Sequence, residues 1–260
     1  RFRLKKNIVE MLMANQKNLK QGLYNSKNEH DSCGVGFIAN IHGKKSHRIV
    51  KQGLEILTNL THRGATGYDP KLGDGAGLLM QISDPFFRNA AENLKLNLPS
   101  AGYYGIGMVF LPQTKEKRER YELLISNVIK EEGQYEIGWR NVPVNNKNIA
   151  LAAKDVEPVI KQIIIGRNKI CSSQDDFERK LFVIRKRIEI EVGKLNIDDP
   201  AKFYIASMSS RTIVYKGMLL ACEVGIYFKD LLDKKMQSSL ALVHQRFSTN
   251  TFPSWELAHP

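Results

Sequence analysis

Cys33 stands at the head of Cys33-Gly34-Val35-Gly36-Phe37, where a polar, basic stretch gives way to an apolar run. The glycines at 34 and 36 leave the backbone room for a ligand close to the sulfur. If the chain were cut between Ser32 and Cys33, the new α-amine would sit beside its own thiol. An α-amine has an unperturbed pKa of about 8, so much of it can accept a proton near neutrality. Nucleophile and base would then belong to one residue, with no separate histidine needed. The plainer reading of a lone cysteine near a strand is a small buried hydrophobe.

Two glycine patterns invite other chemistry and do not support it. Gly34-Val35-Gly36-Phe37-Ile38-Ala39 fits a loose dinucleotide fingerprint, which must follow a strand and open a helix. Here a polar leader precedes it and the pattern itself reads as a strand. Gly73-Asp74-Gly75-Ala76-Gly77 could cradle an anion through backbone N–H groups. No Lys-Ser or Lys-Thr follows, so tight backbone packing is the better account. Cys33, Cys171 and Cys222 lie far apart with no Cys-x-x-Cys spacing, which argues against a disulfide framework or a zinc site.

These residues need elements to hold them. Residues 1–32 read as a leader with one helical stretch near 7–20. A strand is expected over Cys33–Ile41, then a turn at His42–Lys45, with Ser46 as N-cap of a helix. That helix carries Ile49, Val50, Leu54, Leu57 and Leu60 at helical spacing, and Gly64 falls where a left-handed C′ residue belongs. Further strands are expected at Leu78–Ile82, Tyr103–Leu111, 134–139, 158–165, Phe203–Met208, Thr212–Tyr215 and Leu240–Phe247. Helices are expected at 84–94, 115–131 and 174–192, the last opened by a Ser173/Asp176 capping box. There is no internal repeat and no linker long enough to divide the chain after residue 32.

The 260 residues are 42% hydrophobic and 25% charged, an ordinary globular composition that rules out collagen, a low-complexity tail and a disulfide miniprotein. No run of eighteen apolar residues exists, and the start lacks a secretory pattern. The net charge of +12 invites a nucleic-acid reading. The surplus is dispersed, however. Residues 1–32 carry seven Lys/Arg and three Asp/Glu, and Lys115-Glu116-Lys117-Arg118-Glu119-Arg120 is a mixed, solvated face. No aromatic-plus-basic stripe accompanies it, so neither nucleic acid nor membrane is an expected partner.

Five ordered blocks carry a family resemblance. Asn28-Glu29-His30-Asp31-Ser32-Cys33-Gly34-Val35-Gly36-Phe37 resembles the processing junction of the glutamate synthases, in their glutamine amidotransferase domain. Thr61-His62-Arg63-Gly64-Ala65, Gly73–Gly77, Ser209–Met218 and Val243–Trp255 agree in the same order, so the resemblance runs from about Gly22 to Pro260.

The resemblance implies an α+β chain with the N-terminal nucleophile hydrolase fold, a four-layer αββα sandwich truncated at its C-terminus. It implies a propeptide over 1–32 and an incomplete class II glutamine amidotransferase domain over 33–260. Cys33 would attack the side-chain amide of L-glutamine, form a glutamyl thioester, release ammonia and be freed by water. Arg246 would pair with the α-carboxylate, where a planar guanidinium suits a planar anion. Thr249 would add a hydroxyl hydrogen bond and Phe247 its backbone. Arg63 would line the pocket and help position the Cys33 terminus, although an arginine there could equally cap a helix end.

In that family an Asn-Gly pair forming the oxyanion hole, and an aspartate binding the substrate α-amine, lie beyond the Phe-Pro-Ser-Trp block, and this chain stops first. The 260 residues alone are therefore expected to be inactive. The larger protein implied would pass ammonia to downstream synthase domains that aminate 2-oxoglutarate to glutamate. Flavin mononucleotide (FMN) and an iron–sulfur cluster (3Fe-4S) would serve that half, with no cofactor in the present segment. The electron donor would be ferredoxin or a nicotinamide-dependent small subunit, and the compartment the cytoplasm or a plastid. A class II amidotransferase with another ammonia acceptor, or an inactive truncated domain, are the alternatives.

Overall fold

The computed structural model describes residues 34–64, 66, 69–195, 197, 199, 201–247 and 252–259. The leader with its expected helix, Cys33 and Thr249 lie outside the described residues.

Alternating apolar positions build eight strands: β1 (Gly34–Ala39), β2 (Ala76–Gln81), β3 (Tyr104–Leu111), β4 (Tyr135–Asn141), β5 (Val159–Gly166), β6 (Tyr204–Ser209), β7 (Thr212–Gly217) and β8 (Leu240–Gln245). They form two four-stranded antiparallel sheets. Sheet 1 has the order β1-β8-β2-β7 and sheet 2 the order β4-β5-β3-β6. Helices α1 (His47–Asn59), α2 (Asp84–Asn93), α3 (Lys115–Glu131), α4 (Leu151–Asp155), α5 (Gln174–Lys194) and α6 (Val224–Tyr227) complete the frame, with a 3₁₀ turn at Thr61–Arg63. The α+β expectation and the two antiparallel sheets agree.

Two cores follow from the alternation. One unites Leu78, Met80, Tyr215 and Val243 of sheet 1 with Ile106, Phe110 and Ile164 of sheet 2, and takes in Ile49, Val50 and Leu57 of α1. The other fills the opposite face of sheet 2, where Val109, Ile163 and Ile165 meet Ile125 and Ile129 of α3 and Leu181 and Ile184 of α5. Along β1 the odd residues are left outside: Val35 is 63% and Phe37 75% exposed.

Helix α3 begins and ends as its periodicity predicts, and its mixed first turns face solvent, with Lys115 ion-paired to Glu119. Helix α5 opens with the expected box: the Asp176 N–H donates to Ser173 Oγ (3.1 Å) and the Ser173 N–H to Asp176 Oδ2 (3.0 Å). Ser46 is the N-cap of α1 as expected, its extended backbone bridged to Ser238, although its side chain makes no cap bond. One expectation fails. Gly64 is not a left-handed C′ residue. Helix α1 ends at Asn59, the 3₁₀ turn intervenes, and Gly64 adopts an extended backbone (φ −98°, ψ 156°).

A polar group bridges the sheets where apolar packing would be expected. Arg140 on β4 makes a two-pronged ion pair with Asp230, 2.7 Å on each arm, with only 12% and 2% of the side chains exposed. The Tyr215 hydroxyl of β7 donates to the same carboxylate at 3.1 Å and receives the Gln162 amide of β5. Burial, with Asp230 behind it, pushes the Tyr215 hydroxyl well above its usual pKa, so it stays a donor. Asp230→Ala would strand a buried guanidinium and should cost about 3–5 kcal/mol in urea unfolding. Replacing both partners, Arg140→Met with Asp230→Leu, should cost less. A single-variant loss below about 1 kcal/mol would show that the pair holds nothing.

Candidate active site

Strand pairing gathers the chemistry-bearing blocks at one end of sheet 1. Gly34 pairs with Gln245, Gln245 with Ala76, and Ala76 with Gly217, so one row crosses all four strands. At that row the chain enters β1, leaves β8, enters β2 and leaves β7. Four of the five blocks that carry the resemblance end or begin there, and the fifth, Thr61–Gly64, packs against it. Residues far apart in sequence thus meet because an antiparallel sheet brings alternate strand ends to one side.

Arg246 continues β8 by one residue. Its N–H donates to the Gly75 carbonyl (2.8 Å) and its Nη1 to the Asp74 carbonyl (3.3 Å). It is almost fully buried, so it is not an ordinary surface salt bridge. Its guanidinium is thus held at the sheet end by a backbone carbonyl, and a planar fork of this kind is suited to a planar anion. Phe247 follows, partly exposed. Arg63 ends the 3₁₀ turn against the start of β1, its N–H on the Leu60 carbonyl (2.8 Å). A Cβ on Gly34 would lie 2.9 Å from the Arg63 Cβ, so this contact requires glycine. Arg246, Phe247 and Arg63 therefore all lie at this end of sheet 1; Cys33 and Thr249 lie outside the described residues.

The glycine-dense turn is a backbone-packing device, as its sequence indicates. A side chain at Gly73 would meet the Leu219 carbonyl oxygen at 2.3 Å, and Gly75 has φ +132°. Gly64 serves a side chain instead: a Cβ there would lie 2.0 Å from Nε2 of Gln245.

Four residues without an assigned role in the sequence, Lys216, Trp255, His244 and His259, complete this end. Lys216, one residue before the row, is buried and donates to the carbonyls of Glu256 (2.9 Å) and Ala258 (2.6 Å). Its ammonium lies 4.2 Å from the centre of the Tyr204 ring. Burial first, then the positive charges of Arg185 and Arg246, bring its pKa down to about 8. Trp255 is driven into the core between Phe110 and Tyr227, with its indole N–H on the Ala153 carbonyl (3.0 Å). His244 faces His259 with ring centres 5.4 Å apart, and burial lowers both pKa values below the usual imidazole range. Lys216 and Trp255 thereby fasten residues 252–259 across the end of β7. A charged residue inside an apolar strand was the available signal for Lys216. No group of three His, Cys, Asp or Glu side chains among the described residues is placed to hold a metal.

The family model of the class-II glutamine amidotransferases matches residues 33–260, and the chain belongs to that family. It is 48% identical over 246 residues to the glutamate synthase [NADPH] large chain of Bacillus subtilis, covering 95% of this chain and 16% of that one. It is 40% identical over 238 residues to the ferredoxin-dependent glutamate synthase of Pyropia yezoensis, covering 92% and 15%. To the glutamate synthase [NADH] of Saccharomyces cerevisiae it is 38% identical over 256 residues, covering 93% and 11%. The chain thus spans 11–16% of the length of these relatives.

Two outcomes check this geometry. Gly64→Ala should destabilise by about 1–3 kcal/mol through overpacking, and Gln245→Ala in the same chain should return much of it. Additive losses in that double-mutant cycle would place the two residues out of contact. For Lys216, the folded pKa of about 8 lies below the ordinary 10.5, so between those values the unfolded chain binds the extra proton. Stability relative to Lys216→Met should therefore rise with pH across that window, by up to about 3 kcal/mol. A flat difference would mean the folded lysine keeps its ordinary pKa.

Proposed function

We propose that this class-II glutamine amidotransferase chain is the glutaminase part of a glutamate synthase, with the four-layer fold of the N-terminal nucleophile hydrolases. The observation that supports the reading is the single row Gly34–Gln245–Ala76–Gly217, which brings four of the five blocks to one sheet end, with Thr61–Gly64 of the fifth packed against it. Likeness to glutamate synthases named for NADPH, ferredoxin and NADH supports the choice of ammonia acceptor over other members of the class.

Removal of residues 1–32 frees the α-amine of Cys33. That amine takes the thiol proton, and the thiolate attacks the side-chain carbonyl carbon of L-glutamine. The tetrahedral intermediate collapses with cleavage of the C–N bond, the amine-held proton going to the leaving nitrogen, which departs as ammonia. Water then gives a proton to the amine and its oxygen to the thioester, releasing glutamate and restoring the thiol. Arg246 fixes the substrate α-carboxylate by a charge-assisted fork, Thr249 adds a hydroxyl, Phe247 its backbone, and Arg63 borders the nucleophile. Anchoring the amino-acid end leaves the amide as the part presented to sulfur, so positioning does much of the catalytic work.

In the larger protein, oxyanion donors complete the site and contribute about 3–4 kcal/mol of transition-state stabilisation. The ammonia passes to synthase domains that aminate and reduce 2-oxoglutarate, with FMN and an iron–sulfur cluster carrying electrons from ferredoxin or a nicotinamide-dependent subunit. The compartment is the cytoplasm or a plastid. Among the described residues no helix is long and apolar enough to cross a membrane.

The test is the intact mass and N-terminal sequence of the mature full-length protein, with glutaminase turnover of Cys33→Ala. A start at Cys33 and a loss of about a thousandfold or more are expected. A start upstream of Cys33 in protein that still hydrolyses glutamine would overturn the free-amine mechanism.

A further inference from the structure

One buried polar atom at the row has no partner among the described residues. Gln245 is 1% exposed, and its backbone is paired with β1 on one side and β2 on the other. Its side-chain oxygen Oε1 accepts no hydrogen bond from the described residues. Buried carboxamides in native proteins are nearly always satisfied, because an orphaned acceptor forfeits its hydration for nothing. The packing also goes out of its way to keep this one: Gly64 gives up a side chain to make room for it.

The position of the orphan indicates its guest. In an antiparallel pair, opposite residues project from the same face, so Gln245 shares a face with Gly34. That face is the one bordered by Arg63 and Gly64. Residue 33 is covalently next to Gly34. While the leader is attached, its nitrogen is a peptide nitrogen with one hydrogen. Cleavage turns it into an amine or ammonium with two or three hydrogens and frees it to rotate.

We infer that Gln245 is a positioning residue for the mature N-terminus, its Oε1 accepting a hydrogen bond from the Cys33 α-amine and holding that base beside the thiol. This rests on the reading of Cys33 as an N-terminal nucleophile. It adds a residue to that site and gives the unpaired oxygen a purpose: the acceptor stands ready in the uncut chain and is satisfied on processing. The bond also sets the strength of the base. An acceptor favours the ammonium form, so it raises the amine pKa; losing it lowers that pKa, and a carboxylate in its place raises it further.

The experiment compares full-length processed wild type with Gln245→Met and Gln245→Glu, following kcat/KM for glutamine and the rate of Cys33 alkylation by iodoacetamide against pH. The acidic limb should move down by about half a unit in Gln245→Met and up by about a unit in Gln245→Glu. A residue that merely packs would change melting temperature and leave both limbs in place. If Gln245→Met does not fold, Gln245→Glu, nearly identical in shape, carries the test alone. Intact masses of the same samples separate the two levels. Cys33 terminal with superimposable limbs overturns the role of Gln245 and leaves the proposed mechanism standing. Active protein beginning upstream of Cys33 overturns the mechanism and this inference with it.

Discussion

A pair of opposite charges buried between the sheets fixes how they sit on each other. Arg140 and Asp230 have been taken out of water at considerable cost, and only the two-pronged geometry between them offsets it. Tyr215 and Gln162 spend their own polar groups on the same cluster, so both sheets are committed to it. An apolar interface tolerates small slides; a fork of charge-assisted bonds does not. Tyr215 lies on the strand that reaches the row two residues later, at Gly217, so the clamp transmits the placement of sheet 2 directly to the candidate site.

At the row itself, closeness is bought with glycine. Gly34 admits Arg63, Gly73 admits a neighbouring carbonyl, and Gly64 admits the Gln245 carboxamide. Each absent side chain lets a polar or charged group come to the sheet end, where strand backbones alone would offer only amides and carbonyls. Arg246 is steadied by two such carbonyl contacts, one from its backbone and one from its guanidinium. Lys216 uses two more to hold residues 256 and 258 over the end of β7. The site is thus built largely from side-chain-to-backbone bonds, which depend on strand register and not on the conformation of a partner side chain.

Much of this architecture was legible in the sequence, and for identifiable reasons. Helix α3 and the Ser173/Asp176 box of α5 are local patterns, complete within one or two turns, and they appear where periodicity puts them. Strands were placed within a residue or two because their apolar runs are bounded by turn residues. Gly64 was misread because a glycine after a helix has a common local explanation, whereas its true neighbour, Gln245, is 181 residues further on (245 − 64). Arg140 and Asp230 were invisible for the same reason, since nothing in either neighbourhood marks a charge destined for burial. Lys216 carries one local signal, a charge inside an apolar strand, but only the fold shows that residues 256–258 cover it and that Gln245 lies in a central strand. For Cys33 and Thr249, recognition came from flanking blocks, and their own geometry is outside the described residues.

The order of sheet 1 also governs how the domain can come into being. Strand β8 lies between β1 and β2, yet among the described strands it is the last to be synthesised. Until then β1 has no strand to pair with, and Val35 and Phe37 add apolar surface to an open edge. A nascent chain must therefore hold β1 in waiting for about 200 residues before β8 can slot in. Because the same insertion creates the row, no partly folded species that lacks β8 can carry it. Any proteolytic step that depends on the finished row therefore waits on the synthesis of β8.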